Sequence, residues 1–93
     1  MPVLTYRTVQ EAIGRANNTT FGLSGSVWSG DLDRAARIAE ELDCGTAFVN
    51  DHLALSSDVP FGGAKWSGVG VENGAWGLEE FTQLQAIRRP KEA

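Results

Sequence analysis

The side chains of this sequence that could do chemistry are few and far apart. Cys44 and His52 supply a nucleophile and a base, the pair that thiol catalysis needs. Cys44, however, sits at the end of a helical pattern and just before an apolar strand, so a packed structural cysteine is the better reading. One cysteine makes no internal disulfide or cysteine-based zinc site, and one histidine makes no His–His metal pair. Glu40–Glu41 and Glu79–Glu80 are adjacent in sequence, diverge around a helix, and read as solvated faces. Gly68-Val69-Gly70 begins a dinucleotide-type pattern, but the third glycine would fall at Asn73, and the segment does not directly follow a strand. Gly62-Gly63-Ala64-Lys65 has a lysine without the P-loop spacing. No nucleophile, base and oxyanion site assemble from these residues.

The elements around them alternate. Val3–Tyr6 is short and β-prone and reads as a strand. Thr8 and Glu11 form a capping box, followed by Val9, Ala12, Ile13 and Ala16 on one helical face. Asn17 and Asn18 open a polar turn. Leu23–Ser29 reads as a second strand, and Ser29 or Asp31 caps a second helix whose buried stripe is Leu32, Ala35, Ala36, Ala39 and Leu42. Gly45 suits the position after its end, and Thr46–Asn50 is a third, apolar strand. Strand, helix, strand, helix, strand predicts an α/β fold with mostly parallel strands, an incomplete three-layer unit because two helices cannot cover both faces. A long glycine-rich loop follows, then a short helix in "AWGLEEFTQ" and a C-terminal edge strand in "LQAIRRP".

At 93 residues, with 42% hydrophobic and 22% charged residues, the chain has the composition of an ordinary globular domain with little core to spare. Its net charge of −4, with basic residues gathered only in Ile87–Lys91, argues against nucleic-acid binding. "MPVLTY" lacks the features of a signal peptide, and no run approaches the length of a membrane span, so a cytoplasmic protein is expected.

The order of the segments says more than any one of them. "RANNTTFGLSGSVWSGDLDRAARIAEELDCGTAFVN", followed by "PFGGAKWSGVGVENGAWGLEEFTQLQAI", strongly resembles the C-terminal part of the NAD(P)-dependent aldehyde dehydrogenase superfamily, over nearly the whole chain. The resemblance implies that residues 1–82 are a C-terminal portion of a catalytic domain and that 83–93 form an oligomerisation strand and tail. The parent would oxidise an aldehyde to a carboxylic acid with NAD or NADP. In it a cysteine thiolate attacks the aldehyde, hydride passes to the nicotinamide, and water hydrolyses the thioester. The family's catalytic cysteine, general-base glutamate and nucleotide domain lie upstream of the matched region, and Cys44 does not match the catalytic motif. The chain alone is therefore expected to be inactive and to bind no cofactor, as a truncated product or a split subunit would be.

Phe61 takes the place of the family's aromatic wall beside the aldehyde tunnel, with Leu53 and Leu55 in the variable segment that shapes it. On the residues alone Phe61 reads rather as a core plug; the resemblance is what favours the tunnel wall. Asn50, Gly62, Gly63, Lys65 and Ser67 match motif positions and are read as loop anchors, while Trp66 fills a variable slot. Val71 stands where the family often has arginine, and Gln85 interrupts the usual Tyr-Thr-x-x-Lys run, which removes charges that brace subunit contacts. The expected partners are a second copy or the rest of the enzyme, and the alternative is a free-standing, non-catalytic interaction module.

Overall fold

The first helix begins where Thr8 stops the chain from running on extended. Its hydroxyl accepts the Glu11 amide at 3.2 Å, and α1 spans Val9–Asn17. The second half of the expected capping box is displaced by one residue: the Glu11 carboxylate accepts from the Arg7 amide rather than from Thr8. Ile13 is buried, whereas Ala16, expected on the same face, is exposed. This computed structural model describes residues 1–92.

After α1 come β1 (Phe21–Gly22), β2 (Ser24–Val27), α2 (Leu32–Ala39), β3 (Thr46–Val49), β4 (Ala64–Lys65) and α3 (Gly74–Glu79). Asp31 caps α2 by accepting the Arg34 amide at 3.0 Å. β2 and β3 pair in parallel, Ser24 opposite Thr46 and Val27 opposite Val49, with α2 as the crossover packed on both. β1 and β4 form a separate, two-residue antiparallel pair. The α/β class and the parallel β2–α2–β3 unit stand as expected.

Four expectations are corrected. Val3–Tyr6 forms no strand; the Thr5 carbonyl instead accepts from the Arg15 guanidinium at 2.9 Å. The strand expected over Leu23–Ser29 is shorter, because the Ser29 backbone bonds to a side chain rather than to a ladder. α2 ends at Ala39, so Cys44 follows a turn, and the buried stripe narrows to Ala35 and Ala39, with Leu32 and Ala36 exposed. Leu84–Arg88 has no ladder, since a strand needs a partner and the described residues offer it none. The molecule is elongated, 72 Å long and 26 Å across.

Ile13, Ala35 and Ala39 are the buried hydrophobic residues, and no large side chain among those described is fully enclosed. A small residue lets the turn after α2 close on the sheet: a Cβ on Gly25 would stand 3.0 Å from a Leu42 methyl. Gly45 is tighter still, since a Cβ there would overlap the carbonyl of Gly62. Among the described residues no helix is long and apolar enough to cross a membrane.

Two glycines should therefore respond oppositely to the same change. Gly45→Ala forces backbone apart and should cost about 1–3 kcal/mol. Gly14, in the middle of α1 with open space around its would-be Cβ, should gain about 0.5–1 kcal/mol on becoming alanine. Urea unfolding of both variants checks this; equal effects would show that the Gly45–Gly62 approach is not a constraint.

Candidate functional site

The glycine-rich loop is held by its backbone. Phe61 and Glu72 exchange both amide–carbonyl hydrogen bonds at 2.8 Å, closing residues 61–72 into a ring. A Cβ on Gly62 would come 2.5 Å from the Gly70 carbonyl and one on Gly63 would come 2.8 Å from Ser67, so the loop folds back on itself where side chains would not fit. Phe61, half-buried, borders an open depression of about 350 Å³ together with Leu23, Ser67, Val69 and Val71.

Side chains tie this ring to the rest. The Ser67 hydroxyl accepts the Gly22 amide at 2.8 Å, and the Trp66 amide donates to the Thr20 carbonyl at 2.9 Å. The Lys65 ammonium donates to the Asn17 and Thr19 carbonyls at 2.9 and 3.1 Å and pairs with Asp43 at 3.1 Å. Trp66 itself lies 82% exposed.

Asn50 works on the opposite side. Its side-chain amide accepts from the Ser29 amide and donates to the Ser29 carbonyl, both at 2.8 Å, which clamps the β2–α2 loop to the end of β3. Its φ of 50° is left-handed, a conformation that asparagine tolerates better than most residues. Leu53 also has a positive φ, 58°, and stands exposed with Leu55 on loop 51–59. Neither leucine lines the Phe61 depression. In the same loop the Ser56 hydroxyl donates to Asp58, and this bond, with one from Asp58's own backbone amide, holds that carboxyl below the usual carboxylate range.

Cys44 and His52 make separate contacts. The thiol donates to the Thr46 carbonyl at 3.3 Å, and the imidazole packs edge-on to Phe48, 5.9 Å between ring centres. The depression is bordered by the Glu72 and Glu80 carboxylates and by the Ser67 hydroxyl, which already accepts an amide. Such a surface can receive and orient an apolar group; it holds no activated nucleophile. Among the described residues no group of three metal-ligating side chains forms.

One residue that the sequence reading passed over is central here. Asn17 donates to the Glu41 carbonyl and accepts from the Asp43 amide, both at 2.9 Å. The signal available was an asparagine at a helix C-terminus, which the polar-turn reading absorbed.

Asn50→Ala removes both bonds to Ser29 and leaves a left-handed alanine; a destabilisation of about 2–3 kcal/mol is expected. Asn50→Gly loses the same bonds without the backbone strain and should cost about 1 kcal/mol less. Chemical denaturation of the pair separates the two contributions, and equal losses would place all of Asn50's role in its side chain.

Comparison with known proteins bears on this arrangement. The sequence profile of the aldehyde dehydrogenase family matches residues 1–87. A 4-trimethylaminobutyraldehyde dehydrogenase of Oryzias latipes is 47% identical over 87 residues, 94% of this chain and 17% of that protein. A betaine aldehyde dehydrogenase of Cereibacter sphaeroides is 45% identical over 87 residues, 94% of this chain and 18% of that protein. Among solved structures, betaine aldehyde dehydrogenase from Staphylococcus aureus in complex with NAD+ superposes with a TM-score of 0.78 at 45% identity, covering 82% of this chain and 15% of that one. The NAD+ complex of aldehyde dehydrogenase from Bacillus cereus gives 0.81 at 36% identity, covering 86% and 16%. The chain thus spans less than a fifth of the length of these relatives. By the match over residues 1–87 and the agreement in fold, the chain belongs to the aldehyde dehydrogenase family.

Proposed function

We propose that this chain supplies the substrate-tunnel loop of an NAD(P)-dependent aldehyde dehydrogenase, with Phe61 as the apolar wall that the aldehyde's chain lies against. The observation that carries the reading is the anchored ring of residues 61–72. A loop fixed through Gly62, Lys65 and Ser67 holds Phe61 half-exposed at the edge of a depression, where a core plug would be enclosed. Leu53 and Leu55 would join that wall from loop 51–59, whose exposed leucines have no other apolar cover. The related structures hold NAD+, which supports NAD as the hydride acceptor of the parent protein.

This chain's own residues do not fit the nucleotide. Gly68 and Gly70 are turn residues with positive φ inside the loop, and the following helix, six residues long, has no side-chain cap. The part assigned to the chain is therefore to bind and orient the aldehyde's apolar end, and to anchor the loop that does so through Asn50, Gly62, Gly63, Lys65 and Ser67. Oxidation itself would rest with residues outside it.

In a protein that carries this chain and turns over aldehydes with NAD+, Phe61→Ala should lower kcat/KM for octanal about five- to thirtyfold. That corresponds to about 1–2 kcal/mol of lost apolar contact. Acetaldehyde, too short to reach the wall, should change less than twofold. Equal losses for both substrates would leave Phe61 as a packing residue.

A second reading concerns association, and one feature favours it. Leu84 and Ile87 are 98% and 86% exposed on an extended segment whose backbone has no partner. Residues 83–93 are accordingly proposed as the association segment, pairing with a second copy or with the rest of the enzyme. Sedimentation at micromolar concentration should find dimers or larger species, and Leu84→Lys with Ile87→Lys should shift them to monomers. A wild-type chain that sediments as a compact monomer would refute this.

A further inference from the structure

Three segments that are far apart in sequence meet at the C-terminal end of α1. The Asn17 side chain takes the Glu41 carbonyl and the Asp43 amide, binding the turn after α2. The backbone carbonyls of Asn17 and Thr19 take the Lys65 ammonium, binding the glycine loop. Lys65 also pairs with Asp43 and pairs in β4 with Phe21 of β1. Its backbone has a φ of 53°, left-handed for a residue with a long side chain.

The contributions are unequal. Asp43 is 60% exposed on its side chain, so its ion pair with Lys65 is screened by water and weak. The carbonyls are different. The last carbonyls of a helix have no intrahelical donor and carry the negative end of its dipole. A cation that bonds the last carbonyl of α1, at Asn17, together with the Thr19 carbonyl just beyond the helix makes charge-assisted hydrogen bonds, stronger than neutral ones. A left-handed lysine is disfavoured in itself, so this one is held there by what its ammonium reaches.

Phe61 is four residues from Lys65 and shares its closed ring. Gly62, next to Phe61, lies against Gly45, two residues beyond Asp43 in the segment that Asn17 holds. Besides the Ser67–Gly22 and Trp66–Thr20 bonds, the ring is gripped through Lys65 and through the 43–45 turn, and these two grips both trace back to the end of α1.

We propose that Asn17 and Lys65 are positioning residues that set where Phe61 stands: Asn17 fixes the 43–45 turn against which Gly62 packs, and Lys65 fixes the loop to the same helix end. The consequence for substrate rests on the reading of Phe61 as a tunnel wall; the positioning itself does not.

Hydrogen exchange on the full chain tests the positioning. The amides of Phe61, Trp66 and Glu72 report the loop, and the Asn50 amide, bonded to Val27, reports the β2–β3 unit. Lys65→Met, which keeps the aliphatic stem, and Asn17→Ala should each speed exchange of the three loop amides at least tenfold and leave the Asn50 amide within twofold. Uniform acceleration at all four would mean that the two residues only stabilise the fold, and would overturn the proposal. So would a wild-type loop whose amides are unprotected. Should Lys65→Met fail to fold, Lys65→Gln, which retains one amide donor, should give the same local pattern at smaller amplitude, and a uniform pattern there overturns the proposal equally.

The functional consequence has its own readout in an active protein carrying the chain. Lys65→Met should raise KM for octanal at least fivefold over that for acetaldehyde, with kcat for acetaldehyde within twofold. If Phe61→Ala alters the preference between the two aldehydes and Lys65→Met does not, the positioning proposal falls. If neither alters it while the exchange pattern is local, the tunnel-wall reading falls and the positioning stands.

Discussion

The backbone at Gly62 lies against the backbone at Gly45 so closely that no side chain fits between them. Much of the structure follows from that approach. Gly45 begins the return into β3, donating its amide to the Gly22 carbonyl at 3.0 Å, so the loop that touches it is docked on the corner joining the two small sheets. From there Ser67 reaches the Gly22 amide and Trp66 reaches Thr20, and a twelve-residue ring becomes a lid over one end of the β2–β3 unit. Glycine in such a loop costs conformational entropy. Here its absence of side chain is what permits the contacts that offset that cost.

Polar clamps take over work that a larger core would do. With Ile13, Ala35 and Ala39 as the buried hydrophobic residues, burial alone holds little together. Asn50 on Ser29, Asn17 on the 41–43 turn and Lys65 on the end of α1 each join segments at least twenty residues apart. They are hydrogen bonds to backbone, which fix geometry more than they add free energy. What remains uncovered is a groove of about 640 Å³ between α1 and α2, lined by Tyr6, Ile13, Phe21, Trp28, Ile38 and Leu42.

The sequence was informative where periodicity or capping chemistry is local. Thr8 and Asp31 start their helices, and the apolar run at Thr46–Val49 pairs as expected with the run at Ser24–Val27. Local patterns failed where a distant partner decides. Val3–Tyr6 has the composition of a strand but no neighbour, and Ser29 leaves the ladder because Asn50, twenty-one residues away, takes its backbone. β1 and β4 were invisible, being two residues each and defined only by their mutual pairing. The loop anchors at Gly62, Lys65 and Ser67 came from motif position, and nothing in their spacing reveals that Lys65 would find the end of α1. Leu53 and Leu55 show the converse, since the same kind of reasoning placed them beside Phe61 and here they stand apart from its depression.

That separation has a physical basis. Phe61 is pinned by paired backbone bonds to Glu72, but among the described residues loop 51–59 has few ties: the Asp51 carboxylate to the next amide, the Ser56–Asp58 bond, the Val59 amide to the Ser56 carbonyl and the Ser57 carbonyl to Gly74. Most of these bonds are local, and local turns fix the path of a loop without fixing its distance from a surface across the molecule. Leu53, held at positive φ with 49% of its surface exposed, gains only partial packing to offset that conformation. Phe61 is therefore fixed by this chain's own paired backbone bonds, while Leu53 and Leu55 ride on a loop held mainly by local turns.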